Sequence, residues 1–331
     1  MSKVLVTPHM LVRQPGPYLD ILENAGLEVV YPNEGADTLE EEVIMDALSG
    51  DIHAMLAGTE PLNQRVLSKS NLKVVARQGV GFDSVNLETA TQRGIAVTIT
   101  PGTLEDSVAE LTLGMLLALT RDILGHDREV REGNWLRKAG PRLAGKIFGI
   151  VGLGRIGRTV ARRVQALEMK VIAFDPNLTT EQAKELNVEK MEHFDDFLRK
   201  LDVLSLHIPC TNQTRNLVDE HALKQMKKDS ILLNLGRGGI VDETALCEAL
   251  HAGDLFAAGL DVFEQEPLPL SSPLLKAPHL LLSSHMGGID AESTRLASCL
   301  AAQCIADLFQ GKWPDHCLVN PKDRKSTRLN S

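Results

Sequence analysis

Gly149-Ile150-Val151-Gly152-Leu153-Gly154-Arg155-Ile156-Gly157 lies near the middle of the 331-residue chain, and Asp175 follows eighteen residues after its last glycine. Phe148 to Val151 is a short apolar run suited to a buried strand. Arg155 to Leu167 repeats its apolar residues at helical spacing, so the glycines fall on a strand-to-helix turn. Each glycine then has a task. Gly152 permits the tight turn, Gly154 lets the backbone approach a pyrophosphate, and Gly157 lets the helix pack closely on the strand. The first helix amides, those of Arg155 and Ile156, face the anion, and the Arg155 side chain points at it as well. Asp175 closes the next apolar strand, Lys170 to Phe174, where a carboxylate accepts from an adenosine ribose and repels a 2′-phosphate. The expected cofactor is therefore NAD and not NADP. Arg162 and Arg163 lie a turn or more into the helix and read as a solvated face.

The chain has room for two domains of ordinary size, each with its own core. A formal charge of -9 without a dense basic stripe argues against a nucleic-acid or anionic-membrane partner. No charged-then-apolar leader opens the sequence, and the longest nearly uncharged apolar stretch, Leu111 to Thr120, is too short to span a bilayer. A cytoplasmic enzyme is expected. The five cysteines, Cys210, Cys247, Cys299, Cys304 and Cys317, are odd in number and lack C-x-x-C spacing, so they read as reduced thiols, with no metal site. Asp323 to Ser331 is polar and aperiodic and reads as the in-frame translation of a sequencing adapter, a non-native tail.

Short β-rich runs alternate with helical patterns on both sides of the fingerprint. Before it come Val4 to Thr7, Leu27 to Tyr31, Ala54 to Ala57, Val74 to Ala76 and Ala96 to Ile99. After it come Lys170 to Phe174, Val203 to Leu206, Ile231 to Asn234, Ala257 to Leu260 and Leu280 to Ser283. The alternation predicts an α/β chain of two doubly wound, Rossmann-like parallel-sheet domains. Pro101-Gly102 and Gly287-Gly288 mark crossings between them. Residues 102–288 form the NAD-binding domain, inserted into a substrate-binding domain made of residues 1–101 and 289–322, with a cleft between hinge strands that closes over a ligand. Thr103-Leu104-Glu105-Asp106 resembles a capping box opening a helix with Val108, Leu111, Met115 and Leu119 on one face.

In an open α/β sheet, ligands bind beyond the carboxyl ends of the strands. Three chemically apt residues follow such ends: Arg237 after Ile231 to Asn234, Glu266 after Ala257 to Leu260, and His285 after Leu280 to Ser283. Interconverting an alcohol and a ketone needs a proton carrier, a cation that orients a carboxylate and polarises the carbonyl, and a group that fixes the imidazole tautomer. His285, Arg237 and Glu266 supply these roles; singly each could be a surface or structural residue, but three strand ends coincide. In the N-terminal half, Arg77 leads into Gly79-Val80-Gly81, a glycine-rich turn whose amides suit a carboxylate.

Several blocks together resemble the NAD-dependent D-isomer-specific 2-hydroxyacid dehydrogenases, in their short phosphoglycerate-dehydrogenase-like form. They are Gly79 to Asp83, Thr100 to Gly102, Ser107 to Gly114, Leu204 to Thr211, Asn234 to Glu243, Asp261 to Pro267 and His285 to Gly288, and the resemblance runs from Lys3 to Pro321. It implies that Arg237 binds the substrate carboxylate, that Glu266 pairs with the acid/base His285, that Asp261 lies near the nicotinamide carboxamide, and that His207, Pro209 and Thr211 line the cofactor loop. It also implies a homodimer through Arg121 to Arg142, with Trp135. Leu104, Ser284 and Cys210 depart from the family's usual Asn, Pro and Leu. The substrate class is a small 2-hydroxy acid or 2-oxoacid. A phosphoglycerate-dehydrogenase-like activity is the first reading and a glyoxylate or hydroxypyruvate reductase the second, because Ala57 to Pro61 lacks an arginine that some phosphoglycerate-using relatives carry. Formate oxidation is disfavoured by Glu266, and a non-catalytic, NAD-sensing corepressor by the lack of basic extensions.

Overall fold

The computed structural model describes residues 1–320, which fall into two compact units: Met1–Leu104 with the described residues from Ile289 onward, and Glu105–Gly288. The segment read as a non-native tail lies outside the described residues.

The first unit is built on β1 (Lys3–Val6), β2 (Glu28–Val30), β3 (Ile52–Ala57), β4 (Val74–Arg77) and β5 (Ala96–Thr98), an all-parallel sheet in the order β2-β1-β3-β4-β5. Parallel sheets are covered on both faces, so their strands are apolar throughout and not alternately polar. Val4 and Val6 point to one face, where they meet Leu56, Val74 and the Ala301, Ala302 and Ile305 side of the helix Ala291–Phe309. Leu5 points to the other, with Met55, Val75, Ile44 and Leu67. Each fully buried Leu or Ile of this kind contributes about 1.5–3 kcal/mol. The chain returns along β5, where Ile99 donates to the Cys317 carbonyl at 2.9 Å and Val319 to that of Val97 at 2.9 Å.

The second unit holds β6 (Ile147–Val151), β7 (Lys170–Phe174), β8 (Glu189–Lys190), β9 (Val203–Leu206), β10 (Ile231–Asn234), β11 (Ala257–Leu260) and β12 (Leu280–Leu282), all parallel in the order β12-β11-β10-β9-β6-β7-β8. Strand order reverses at β6, beside β9, and that reversal is where doubly wound sheets open a crevice for a ligand. The fold is the expected one, with strand ends shifted by a residue or so.

Two features differ from the sequence reading. The strand β8 is two residues long, charged and at the sheet edge, so it carries no apolar signal. Arg163 is not a solvated residue: it pairs with Asp106 at 2.7 Å and Glu110 at 3.7 Å on the helix Glu105–Arg121, whereas Arg162 is exposed. Ahead of the helix Glu105–Arg121, Thr103 donates its hydroxyl to the Thr100 carbonyl at 2.7 Å, which leaves that oxygen able to accept as well. No helix among the described residues is long and apolar enough to cross a membrane.

Candidate active site

The fingerprint turn explains its own glycines. Gly152 has φ +88°, and a Cβ there would lie 2.6 Å from the His207 carbonyl oxygen; a Cβ on Gly157 would lie 2.2 Å from that of Gly152. Strand and helix are thus held at backbone contact, which any side chain would break. At Gly154, by contrast, a Cβ would meet no protein atom within 4 Å. The opening that this glycine leaves lies at the start of the helix Arg155–Ala166, whose first turn has no side-chain cap, so its amides and dipole suit a pyrophosphate. The residues fit the dinucleotide. Arg155 is exposed, 3.8 Å from Glu105.

Asp175 ties the turn to β7. Its oxygens accept from the Leu153 and Asn177 amides, each at 2.8 Å, and each keeps a lone pair for a ribose hydroxyl. Past β9, Thr214 bridges the loop by donating to the Pro209 carbonyl and accepting from the Thr211 amide, both at 2.7 Å. His207 Nε2 lies 2.9 Å from Ser205 Oγ, while its Nδ1 is buried with no hydrogen-bond partner. Burial pushes the ring down to about 4 from an ordinary 6.5, so it is neutral. Between those values the unfolded chain binds a proton that the folded one refuses, so stability falls as pH drops below about 6.5, by up to ~1.4 kcal/mol per unit. Urea midpoints taken near neutrality and at mildly acidic pH are expected to diverge less in His207→Gln than in wild type.

The candidate catalytic residues stand on the loops after β10, β11 and β12. His285 Nδ1 lies 2.6 Å from Glu266 Oε2, and Glu266 Oε1 accepts from the Phe263 amide at 2.9 Å. Burial works to raise the Glu266 carboxyl, but the His285 hydrogen bond and charge, the Phe263 amide and the nearby Arg237 outweigh it and hold the group below its ordinary value. An ionised Glu266 only accepts, so Nδ1 carries the proton and Nε2 is left for chemistry. Asn234, at the end of β10 and 2% exposed, fixes the Arg237 loop by donating to the Arg237 carbonyl at 2.9 Å and accepting from the Gly236 amide at 3.1 Å. The Arg237 guanidinium donates to the Gly236 carbonyl at 2.8 Å. Asp261, expected at the nicotinamide carboxamide, is 1% exposed, and its oxygens accept from the Met286 and Gly287 amides at 2.8 and 2.7 Å. These structural duties of Asn234 and Asp261 escape a reading of the sequence; a polar residue at or just after the end of an all-apolar strand marks their positions but not their partners.

In the first unit Arg77 is 6% exposed, and its Nε and Nη1 donate to the Gly81 and Ala57 carbonyls at 2.9 and 3.4 Å, so it braces the loop. The Gly79 amide is spent on Thr100 Oγ1 at 2.9 Å and the Arg77 carbonyl at 3.0 Å. Among the described residues, no hydrogen bond from the Val80 or Gly81 amide accompanies those of Gly79. Glu60 is buried three residues past β3, and burial pushes its carboxyl up.

The family model described as D-isomer specific 2-hydroxyacid dehydrogenase, NAD binding domain, matches residues 113–287. The chain belongs to this family. Glyoxylate reductase of Thermofilum pendens is 36% identical over 92% of this dehydrogenase and 92% of its own length. D-3-phosphoglycerate dehydrogenase of Methanocaldococcus jannaschii is 36% identical over 89% of the chain, which spans 57% of that relative. The crystal structure of the TT0316 protein of Thermus thermophilus superposes with a TM-score of 0.85 at 34% identity, covering 96% of this chain and all of the other. The dehydrogenase is NAD-dependent, and its NAD-binding domain is the unit that carries the fingerprint, Glu266 and His285.

Proposed function

We propose that the enzyme interconverts small 2-oxoacids and D-2-hydroxy acids, with His285 as acid/base, Glu266 as its partner and Arg237 as carboxylate binder; the Val80 and Gly81 amides are, by themselves, a candidate anion-binding turn of the first unit. The observation that carries this reading is the 2.6 Å contact between His285 Nδ1 and Glu266 Oε2 at the carboxyl edge of the NAD-binding sheet. Bound NADH supplies the hydride. Reduction leaves an alkoxide-like oxygen that must take a proton, and His285 gives it from Nε2 while Glu266 stabilises the imidazolium beforehand. Arg237 holds the carboxylate and draws charge from the carbonyl; its planar fork suits that bidentate task. In the oxidative direction Nε2 receives the hydroxyl proton.

NADH consumption over a panel of glyoxylate, hydroxypyruvate, pyruvate and 3-phosphohydroxypyruvate tests the reading and separates the reductase from the phosphoglycerate-type substrate. Turnover of none of them, with NADH bound, contradicts it and favours a sensing role. The cofactor reading is tested separately. Wild type is expected to favour NADH over NADPH, and Asp175→Ala is expected to lower that kcat/KM ratio by about tenfold or more, corresponding to ~1.4 kcal/mol of lost discrimination. A ratio that does not move removes Asp175 from the ribose.

A homodimer and a cytoplasmic location belong to the same proposal. No residue between Arg121 and Gly140 is buried, and the segment exposes Ile123, Leu124, Val130, Trp135 and Leu136 by 51% or more, an apolar surface suited to a second copy of the chain. Light scattering of the full chain reads the mass. All five cysteines are free thiols, in keeping with a reducing compartment.

A further inference from the structure

His285 occupies a conformation that its residue type does not favour. Its φ is +56°, the left-handed region, which is strained for a residue with a Cβ. Such a conformation persists only where the surroundings impose it. Three consecutive amides of this loop end on one residue: His285 donates to the Asp261 carbonyl at 2.8 Å, Met286 to Asp261 Oδ1 at 2.8 Å and Gly287 to Asp261 Oδ2 at 2.7 Å. Asp261 is itself anchored, its amide donating to the carbonyl of Asn234, the last residue of β10, at 3.0 Å. The fit is close, since a Cβ on Gly287 would lie 2.9 Å from Asp261 Oδ2.

We infer that Asp261 is a positioning residue for catalysis: its carboxylate clamps the loop after β12 so that the strained His285 presents Nδ1 to Glu266 and leaves Nε2 for the substrate. The inference rests on the functional reading above and extends it. Main-chain pairing alone does not secure the ring, because the His285 amide bond fixes the start of the loop and not its course through Met286 and Gly287. Two hydrogen bonds to a buried carboxylate fix that course, and hydrogen bonds to charged groups are the strong ones. Asp261 is 1% exposed and each of its oxygens accepts a loop amide, so the loop is the part of the site that its carboxylate holds.

Asp261→Asn keeps the shape but turns one acceptor into a donor facing an amide. Reorienting a catalytic group by a fraction of its length costs up to about a hundredfold, so kcat is expected to fall about ten- to a hundredfold, with the Kd for NADH changed by less than about threefold. A spectroscopic readout needs no turnover. The Nδ1 proton held between His285 and Glu266 gives a low-field resonance, identified by its loss in His285→Ala, and it is expected to broaden or vanish in Asp261→Asn. If that variant does not fold, Gly287→Ala presses on the clamp from the other side and is expected to give the same signature. A wild-type resonance and kcat in the folded variant overturn the inference. So does a rise in the NADH Kd with kcat at saturating cofactor unchanged, which would place Asp261 against the cofactor. If wild type turns over no 2-oxoacid, the functional reading fails, and the resonance still decides the clamp.

Discussion

His285→Ala is expected to lower kcat for 2-oxoacid reduction by roughly 10²- to 10⁴-fold, the usual contribution of a positioned general acid. The Kd for NADH should stay near wild type, because the fingerprint turn and Asp175 stand on β6 and β7 and the histidine follows β12. Single-turnover mixing of the NADH complex with oxoacid separates the chemical step from binding. Glu266→Gln retains an acceptor for Nδ1 but loses the charge that stabilises imidazolium. Its pH profile for reduction is therefore expected to fall away at lower pH than the wild-type profile. A His285→Ala enzyme with near-normal turnover would place the proton elsewhere.

The second large effect is expected at Arg237. Arg237→Lys preserves the charge but not the planar fork, and kcat/KM for the oxoacid should fall by about 10²-fold, the cost of losing one well-placed donor to a charged group. Most of the loss should survive at saturating oxoacid if the guanidinium also polarises the carbonyl, and should vanish there if it only binds. Asn234 holds the loop through the Arg237 carbonyl and the Gly236 amide, so Arg237→Lys should leave the fold intact. Thermal unfolding of the variant checks that. Unchanged kcat/KM would mean that the carboxylate is held by other groups.

What can be read in the sequence is what a residue's own chemistry dictates. Gly152 and Gly157 are legible because a positive φ and a backbone contact admit nothing else, and the strands of both sheets because parallel strands buried on two faces are unbroken apolar runs. Glu266 and His285 are legible as residues after strand ends, which the parallel register carries to one edge. Relations set by register and loop course are not. Asp261 meets Met286 and Gly287, 25 and 26 residues on, only because β11 and β12 are neighbours, and nothing local announces that bond. Arg77 is legible as the residue that leads into the Gly79-Val80-Gly81 turn, but nothing local shows that its guanidinium donates to the Gly81 and Ala57 carbonyls. Arg163 reads as solvated because helical spacing shows which face it shares but not that the helix Glu105–Arg121 brings Asp106 there.

D-specific, NAD-dependent dehydrogenation with the His285–Glu266 pair as proton carrier is read out by NADH formation from NAD with the separate D and L enantiomers of lactate and glycerate. At least one D enantiomer is expected to be oxidised while its L counterpart is not, and His285→Ala to abolish most of that rate. Oxidation of the L enantiomer, or no oxidation of either by a protein that binds NAD, would contradict it.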